Sequence, residues 1–408
     1  MSARVVVTGS GVLSCLGDSP KALHTALVAG QSGLGPIDQF AAHRLGTVYG
    51  APIHGFAPED HLDERHLKPP ISPMPRVVQL SAAVLQGVLA PPELAVEVRQ
   101  EWAIGLVLGT MFCSVGAIAG FDRQDRKKPL EFANTVINAA AGKAAICHKL
   151  TGINSTISTG LTSGLNAIAY AAASIRSGQA TALLAGGAEE LSFESLHGFT
   201  QVGLTCGTSE GEAPFPVPFD IRRNGFAPGE GAAFLLLEEA EAAKARGARV
   251  LAEITGQGST YDTSGGKDAA RAVEAISSTM QLALADAGID AGDIGCVSAS
   301  ANGSVHHDRW EAQALEETVG SQVPITAIKS MVGEALGAGG AMQAVSMIET
   351  LQTGMIPGIV GCEQLEEGFD LQILSPQCQD LDLTCGMINA VGYDGHCSSL
   401  IVSRPAEG

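Results

Sequence analysis

LTSGLNAIAYAAASI, residues 161–175, is apolar on nearly every face. A helix that is hydrophobic all round is buried, so this segment predicts a helix enclosed by other elements. Two short apolar runs flank it in the chain: Ala103 to Leu108, which ends at Gly109-Thr110, and Thr181 to Ala185, which ends at Gly186-Gly187. Both runs have the length and composition of buried strands.

The rest of the chain repeats this alternation of strand and helix, which indicates a layered α/β architecture. Each part contains one helix rich in Gly and Ala, so an internal duplication is predicted, with halves over residues 1–247 and 248–408. The first half opens with a strand from Arg4 to Thr8, closed by Gly9-Ser10-Gly11. The second half is predicted to contain strands at 250–254, 295–299 and 401–403, an amphipathic helix at 269–288 and a small-residue helix at 335–351.

The composition limits the function classes. The formal net charge is −19, and so acidic a chain repels nucleic acid and anionic membranes. The N-terminus reads directly as a strand without the apolar core of a signal peptide, and no uncharged apolar run suits a membrane span. A cytoplasmic location is therefore expected. Only 16% of the residues are charged and 50 are Gly, which favours tightly packed elements and an oligomer.

Metal and disulfide sites are not expected. The nine Cys residues are dispersed without a CxxC pair, which indicates reduced thiols. His306-His307-Asp308 resembles a ligand cluster, but adjacent His side chains diverge and no third ligand is suitably spaced, so a loop or turn is predicted. No cofactor is expected either. The basic, Pro-rich segment RHLKPPISPMPR, residues 65–76, is predicted to be a surface excursion.

Four segments in order resemble β-ketoacyl synthases of the fatty-acid and type II polyketide kind. VVVTGSGVLSCLG (5–17) is similar to the family's first strand and loop, and PFDIRRNGFAPGE (218–230) to its most recognisable block. AIKSMVGEALGAGGA (327–341) is similar to the Lys-Ser segment, and NAVGYDGHCSSL (389–400) to the C-terminal gate loop. The resemblance covers essentially the whole chain and implies a thiolase-like fold, a five-layer αβαβα sandwich that dimerises.

The chemistry that the resemblance implies depends on one Cys and two His residues. The Cys begins a buried helix whose N-terminus favours the thiolate, and it attacks a thioester. In the matching segment STGLTSGLNAI, Leu161 occupies the Cys position. A leucine side chain has no lone pair and cannot attack a thioester.

Both His positions are changed as well. The family's first His lies eight residues before the Asp of an Asp-x-x-Glu pair, and counting back from Asp308 gives Ser300, or Asn302 with a shift of two. Glu334 stands at the second His position, while Lys329 is kept. A carboxylate there opposes a developing enolate. Because a buried Glu334 needs a partner, an ion pair with Lys329 that fills the former active-site pocket is predicted.

A kept frame with all three catalytic positions changed resembles the chain length factor of type II polyketide systems. The resemblance implies a heterodimer with a catalytic ketosynthase α subunit, and no independent ketosynthase activity. Chain length factors often carry Gln at the Cys position, so Leu161 argues against malonyl decarboxylation by this chain. Because acyl carrier proteins are acidic, the carrier is expected to visit the α subunit.

The resemblance also implies a contact with the growing acyl chain. Residues 111–120 (MFCSVGAIAG) and 133–138 (ANTVIN) match segments that cap the acyl tunnel at the family's dimer interface. The length-setting and interface candidates are Met111, Phe112, Val115, Gly116, Ile118, Ala133, Asn134, Thr135 and Val136. An ordinary core helix is the alternative. The matching gate loop comprises Gly392, Tyr393, Asp394 and Gly395, and its Tyr-Asp in place of Phe-Gly suggests that a moving gate is not needed.

Two other functions fit the same sequence. The first is an autonomous condensing enzyme or malonyl decarboxylase that uses atypical residues, with Cys113 and either His306 or His307 as candidates. The second is a scaffold that stabilises its partner without touching substrate. Acyl transfer to the purified chain tests the first, and product-length changes in tunnel variants argue against the second.

Overall fold

The computed structural model describes residues 3–45, 49–67, 74–123, 129–207, 215–374 and 381–405. Its strands are β1 (Val5–Leu13), β2 (Gly35–Pro36), β3 (Tyr49–Gly50), β4 (Gly105–Gly109), β5 (Asn154–Ile157), β6 (Ala182–Glu189), β7 (Gly231–Glu239), β8 (Ala252–Tyr261), β9 (Cys296–Ser298), β10 (Pro324–Thr326), β11 (Gln372–Ile373), β12 (Cys385–Val391) and β13 (His396–Ser403). Eleven of them form one sheet in the order β11-β10-β9-β12-β13-β8-β1-β7-β6-β4-β5, and β2 pairs with β3.

Helices pack on both sides of this sheet. They are α1 (Pro20–Val28), α2 (Arg76–Val88), α3 (Val96–Glu101), α4 (Val115–Asp122), α5 (Pro129–Phe132), α6 (Ala139–His148), α7 (Ser163–Arg176), α8 (Phe193–Gln201), α9 (Ala240–Ala245), α10 (Ala269–Ala287), α11 (His307–Thr318), α12 (Lys329–Val332) and α13 (Gly339–Thr353). Short 3₁₀ turns at Gly160–Thr162 and Leu336–Ala338 lead into α7 and α13. Among the described residues, no helix has the length and apolarity needed to cross a bilayer.

The strand order is repeated in the two parts of the sheet. From the centre outward, the first part runs β1, β7, β6, β4, β5, and the second runs β8, β13, β12, β9, β10. In each part the first two neighbouring pairs are antiparallel and the next two are parallel. The parts join where β1 pairs antiparallel with β8. This repeat supports the proposed duplication, whose boundary at 247 and 248 falls between α9 and β8.

The three largest hydrophobic clusters of the described residues lie between five layers of helices and sheet. The inner core contains α7 and α13 together with one face of both sheet parts. The outer cores cover the opposite faces, with α2 and α6 on the first part and α10 and α11 on the second. Strand β6 shows the division, since Leu183 and Ala185 face the inner core while Ala182 and Leu184 face an outer core. The helix predicted from residues 161–175 is therefore central, as expected.

The prediction that residues 9–11 end the first strand in a turn was wrong. Strand β1 continues through it and pairs with β7 as far as Leu13, with a bulge between Val7 and Gly9. A Cβ at Gly11 would lie 2.7 Å from Val88 Cγ2 of α2. The glycine here permits close approach of a helix to the strand, which is a second use of glycine inside strands.

Other elements were predicted at the right places, but their boundaries in the structure differ from the predicted ones. The strand predicted at 250–254 is β8, which extends to Tyr261. The helices predicted at 161–175 and 335–351 begin at Ser163 and Gly339, because their first turn is 3₁₀. The helix predicted at 269–288 matches α10, which is capped by Asp268 at its start and by Gly288 in the left-handed conformation at its end.

The predicted surface excursion is described only in part, since residues 68–73 lie outside the described residues. At its end, Arg76 begins α2 and pairs with the buried carboxylate of Glu230, with Nε–Oε2 and Nη2–Oε1 both 2.7 Å. Glu230 also accepts a hydrogen bond of 2.9 Å from Ile53 N. This end of the segment is therefore structural and partly buried, which corrects the expectation of a surface segment for Arg76.

Candidate functional site

Leu161 lies in the turn that leads into α7. Gly160 has a φ of +60°, and a Cβ there would lie 2.6 Å from Asp394 Oδ2, so the turn requires glycine. The turn places residue 161 at the N-terminal end of a 14-residue helix, where free amides and the helix dipole favour an anion. A leucine has no atom that can use this field.

Apolar side chains surround position 161. Leu161 is 2% exposed and packs with Phe199, Phe226 and Leu336, while Met111 lies against the same cluster. Burying a leucine in this way contributes about 1.5–3 kcal/mol. Leu161 therefore fills an apolar cluster at the start of α7, which we call the closed pocket.

The ion pair predicted between Lys329 and Glu334 is confirmed. Lys329 Nζ lies 2.9 Å from Glu334 Oε2, and both side chains are buried. Glu334 also accepts hydrogen bonds from Asn302 Nδ2 at 2.8 Å and from Leu336 N at 3.0 Å. Each charge thus has an opposite charge or a donor in contact, which a buried ion pair needs for stability.

Both candidates for the first His position lie beside this ion pair. Ser300 Oγ accepts a hydrogen bond of 3.4 Å from Lys329 Nζ and one of 2.9 Å from Val391 N. Asn302 contacts Glu334 directly, as described above. A cavity of about 10 Å³ lined by Ser300, Asn302 and Tyr393 among others has room for a single water molecule. We call Ser300, Asn302, Lys329, Glu334 and Tyr393 the ion-pair cluster.

Residues 392–395, which the sequence predicts to match a gate loop, bring Tyr393 into the ion-pair cluster. The Tyr393 hydroxyl accepts from Asn302 Nδ2 at 3.0 Å and donates to Asn302 Oδ1 at 3.2 Å. Its ring stacks on Phe226 with centroids 5.9 Å apart and meets His307 edge-on at 4.5 Å. Burial raises the pKa of Tyr393 well above its usual value, so the hydroxyl stays protonated and can donate. Next in the loop, Asp394 Oδ2 lies 3.2 Å from His396 Nδ1, and Gly392 and Gly395 flank Tyr393 and Asp394.

Two buried carboxyls lie behind the ion-pair cluster. Asp308 accepts hydrogen bonds from Phe219 N, Asn302 N and Gly303 N, each 3.1 Å long. Glu311 accepts one of 2.8 Å from Ser300 N. Burial raises the pKa of Asp308 to about 6 and that of Glu311 to about 7.

The contribution of Glu311 to stability is expected to fall as the pH rises towards neutrality. Folded Glu311 holds its proton up to a pKa of about 7, whereas an unfolded Glu releases it near pH 4.3. Between these values unfolding releases a proton, so the group's contribution is complete at low pH and is lost as the pH rises, by about 1.4 kcal/mol per pH unit. We expect the free energy of unfolding of Glu311→Gln, measured by urea denaturation, to rise relative to that of the wild type by about 1.4 kcal/mol per pH unit across this range.

The exposed Glu274 of α10 supplies the control. Glu274→Gln should leave the pH dependence of the free energy of unfolding unchanged. A wild type and Glu311→Gln pair with parallel pH profiles would contradict the assignment of a protonated Glu311.

The predicted tunnel segment is buried only at Cys113 and Ser114, and the helix α4 that follows them is open to the surface. No residue of α4 is buried, which argues against an ordinary core helix. Phe112 is 36% exposed and Ile118 is 47% exposed. Val115 is intermediate in burial, and Met111 is partly buried against the Leu161 pocket. The segment thus links the closed pocket to an apolar surface.

Gly116 does not face this surface. A Cβ at Gly116 would lie 3.3 Å from Glu190 Oε1 and 3.8 Å from Ser192 Cβ, both within the chain. A bulky residue there would displace α4 from its neighbours before it could narrow a tunnel. A role for Gly116 as a wall residue is therefore not supported by its orientation.

The candidate residues 133–136 of the second predicted segment also differ in their exposure. Ala133 and Val136 are exposed, Thr135 is half-buried and Asn134 is buried. Ser114 Oγ donates a hydrogen bond to Asn134 O, which ties this segment to the start of α4. Asn134 therefore positions the segment, while Ala133 and Val136 lie on its outer side.

Cys113 and the paired His residues lie in different surroundings. Cys113 is buried in the outer core of the first half, and burial raises its pKa to about 11, so it is a neutral thiol. His306 lies in the turn before α11, as predicted, while His307 begins that helix and contacts Trp310, Tyr393 and Ser304. This arrangement does not support a Cys113–His pair. The described part of the chain contains no group of three or more His, Cys, Asp or Glu side chains that could hold a metal ion.

Some residues of the site were not predicted from the sequence. Phe199 and Phe226 enclose Leu161, and Glu189 binds the loop that carries Met111 and Phe112. Phe226 belongs to the 218–230 block, and Glu189 directly follows the Gly-Gly-Ala end of a buried strand. A charged residue at the end of an otherwise apolar strand was the available signal for Glu189.

Solved structures share this architecture over the whole chain. "The ishigamide ketosynthase/chain length factor" matches with a TM-score of 0.91 at 26% identity, covering 100% of both chains. "Crystal structure of a Beta-ketoacyl synthase from Burkholderia phymatum STM815" matches with a TM-score of 0.87 at 30% identity, covering 99% of this chain and 100% of that one. The protein therefore has the thiolase-like α/β sandwich fold, as predicted.

Comparisons of the sequence with protein families agree with this fold. Residues 2–243 match the N-terminal domain of β-ketoacyl synthases, and residues 251–363 match the C-terminal domain. A 3-oxoacyl-[acyl-carrier-protein] synthase 2 of Vibrio cholerae serotype O1 is 32% identical over 419 residues, which cover 98% of this chain and 99% of the relative. The chain belongs to the β-ketoacyl synthase family.

Proposed function

We propose that this chain is a non-catalytic ketosynthase subunit, a chain length factor, that pairs with a catalytic ketosynthase. The pair would condense acyl and malonyl units carried on an acyl carrier protein, and this chain would shape the far end of the acyl tunnel. The observation that carries the proposal is the closed pocket at the nucleophile position. There Leu161 is buried, and Lys329 and Glu334 form an ion pair where the family places catalytic groups.

The filled pocket supports a division of labour between the subunits. In the partner, a Cys thiolate holds the growing chain as a thioester, and malonyl-carrier loses CO₂ to give a carbanion that attacks the thioester carbonyl. The new C–C bond forms as the Cys thiolate leaves, and the product remains on the carrier. Leu161 cannot form the thioester. Glu334, which accepts a hydrogen bond from Asn302, puts a carboxylate at the position that matches the second His, where it would oppose the negative charge of an enolate.

The exposed apolar side chains support a partner subunit. Phe112, Ile118, Phe132, Val136 and Ile137 are each between 36% and 58% exposed. Apolar side chains grouped in this way mark interaction surfaces more often than isolated ones do. A partner that covers them would also bring its tunnel against residues 111–118.

Net charge supports a carrier that docks on the partner. The charge of −19 repels an acidic carrier protein, so the partner would supply the basic surface. One structural relative, the ishigamide ketosynthase/chain length factor, combines in its name the two kinds of subunit proposed for this assembly. The sequence relatives named as synthases are the reason to test this chain alone as well.

The test compares the purified chain with its complex. An intact Cys-His-His ketosynthase encoded beside this chain's gene would be co-expressed with it. The chain alone should form no covalent acyl adduct by intact-protein mass spectrometry and no elongated product from malonyl-carrier. The complex should form both the acyl adduct and the elongated product, with the adduct on the partner. An acyl adduct on this chain would overturn the proposal in favour of an autonomous enzyme.

Restoring the nucleophile alone should not restore catalysis. Leu161→Cys would place the thiol in an apolar pocket closed by Phe199 and Phe226, beside the carboxylate-containing cluster. Burial raises a thiol pKa and blocks access, so iodoacetamide labelling of the native variant should be slower by about tenfold or more than in urea. Detectable condensation by the Leu161→Cys chain alone would show that the pocket opens and that Glu334 is compatible with chemistry.

A further inference from the structure

The carboxylate of Glu189 lies between the closed pocket and the apolar surface. Glu189 ends β6 and is completely buried. Its Oε1 accepts hydrogen bonds from Thr110 Oγ1 at 3.1 Å and Phe112 N at 3.0 Å. Its Oε2 accepts from Met111 N at 2.6 Å and Gly337 N at 3.2 Å. One side chain thus holds backbone from two separate segments.

One of these segments lies at the predicted tunnel end, and the other lies at the closed pocket. Met111 and Phe112 belong to the predicted tunnel end. Gly337 lies in the 3₁₀ turn with Leu336, which packs on Leu161 in the closed pocket. A Cβ at Gly337 would lie 2.5 Å from Thr110 Cα, so the segments touch backbone to backbone. The Glu189 carboxylate therefore fixes the distance between the pocket and the side chain of Phe112.

Burying the charge of Glu189 is unfavourable, so the carboxylate contributes through the hydrogen bonds that its two oxygens accept. Burial raises the pKa of Glu189 to about 7, and its four hydrogen-bond donors are neutral groups. The loop amides at 111 and 112 belong to no strand or helix, so Glu189 supplies the acceptors that they would otherwise lack inside the protein. The Thr110 hydroxyl extends the network to Cys113, whose N donates to Thr110 Oγ1 at 2.9 Å. Four consecutive residues, 110–113, are thus ordered by this one group.

We propose that Glu189 is a positioning residue for product length, because its carboxylate holds the residue 111–112 loop against the turn at Gly337. This inference rests on the proposed function. It adds that the length limit is set by a fixed loop position as well as by the size of the Phe112 side chain. A loosened loop would present Phe112 at several depths, so the products would become less uniform in length.

The test uses the heterodimer with Glu189→Gln. A Gln keeps the shape but replaces one of the two oxygens with an NH₂, which must face either Thr110 Oγ1 and Phe112 N or Met111 N and Gly337 N. Amide hydrogen exchange should accelerate by about tenfold or more at one or both of these sites. The share of the principal product should fall by about half, with neighbouring lengths gaining. Glu189→Asp keeps both acceptors on a shorter side chain and should restore part of the uniformity.

The control is Glu238→Gln on the adjacent strand β7. Glu238 is equally buried but pairs with Arg246, Nε–Oε2 2.8 Å, away from the tunnel segment. Its replacement should reduce stability and total product without changing exchange at 111, 112 and 337 or the ratio of product lengths. A residue with a general structural role would behave like this control.

The outcomes separate this inference from the proposed function. Faster exchange together with a broader product distribution supports the inference. Unchanged exchange in Glu189→Gln, or faster exchange with an unchanged distribution while Phe112→Ala alters product length, overturns the inference and leaves the proposed function standing. If neither Glu189→Gln nor Phe112→Ala alters the distribution, the proposed length-setting function fails and the inference fails with it.

Discussion

Replacing Lys329 with Met should lower the free energy of unfolding by about 3–5 kcal/mol, because it leaves a buried carboxylate without its cation. Lys329 and Glu334 are almost completely buried, and their charged atoms are 2.9 Å apart. Asn302 and Leu336 would still donate to Glu334, but neutral donors do not replace the lost charge. The shift of the midpoint in guanidinium denaturation, at constant slope, measures the effect.

Two further variants give this prediction its controls. Lys329→Met with Glu334→Gln removes both charges together and should recover most of the lost stability, since removing a whole buried pair is often close to neutral. Arg4→Met breaks an ion pair with Glu253 whose Arg side chain is 54% exposed, and it should cost about 1 kcal/mol or less. A Lys329→Met midpoint as close to wild type as that of Arg4→Met would contradict a tightly buried pair.

Replacing Phe112 with Ala should lengthen the product by at least about one two-carbon unit, because it removes the largest exposed side chain from the predicted tunnel end. The Phe112 ring packs against Phe199 with centroids 5.8 Å apart, so it has a defined position. Its backbone amide is held by Glu189, so the loop should stay in place when the ring is removed. Mass spectrometry of the products of the co-expressed heterodimer measures the change.

Leu282 on the outer helix α10 is the matched control for Phe112. It is 49% exposed and also apolar, but it lies in the outer layer of the second half. Leu282→Ala should leave product length unchanged. Equal product spectra for Phe112→Ala and the wild type, with an intact heterodimer, would favour a scaffold that does not touch the acyl chain.

Features that depend on short motifs could be predicted from the sequence. Leu161 was located because the motif and the apolar helix after it are contiguous in the chain. The Lys329–Glu334 pair was predictable because the two charges are five positions apart in a segment with no other charge. The layered fold followed from the two helices rich in small residues, which only an interior position can accommodate.

Features that depend on packing between distant segments could not be predicted. Tyr393 and Asn302 meet across 91 positions of the chain, and Glu189 reaches Gly337 across 148. Gly9 to Gly11 looked like a turn because glycine serves both turns and close packing, and only the position of α2 decides between them. The direction in which Gly116 faces is likewise set by Glu190 and Ser192, which follow it by more than 70 positions.

The ion-pair cluster also restricts how this chain could change over generations. A Cys at 161 alone gains a thiol enclosed by apolar side chains, and a His at 334 alone leaves Lys329 without its counter-charge. A smaller residue at 393 alone removes the hydroxyl that Asn302 uses as donor and acceptor. None of these single changes restores a Cys-His-His set, and those at 334 and 393 each remove a partner from the buried cluster. Reversing the proposed loss of catalysis would therefore need several substitutions together.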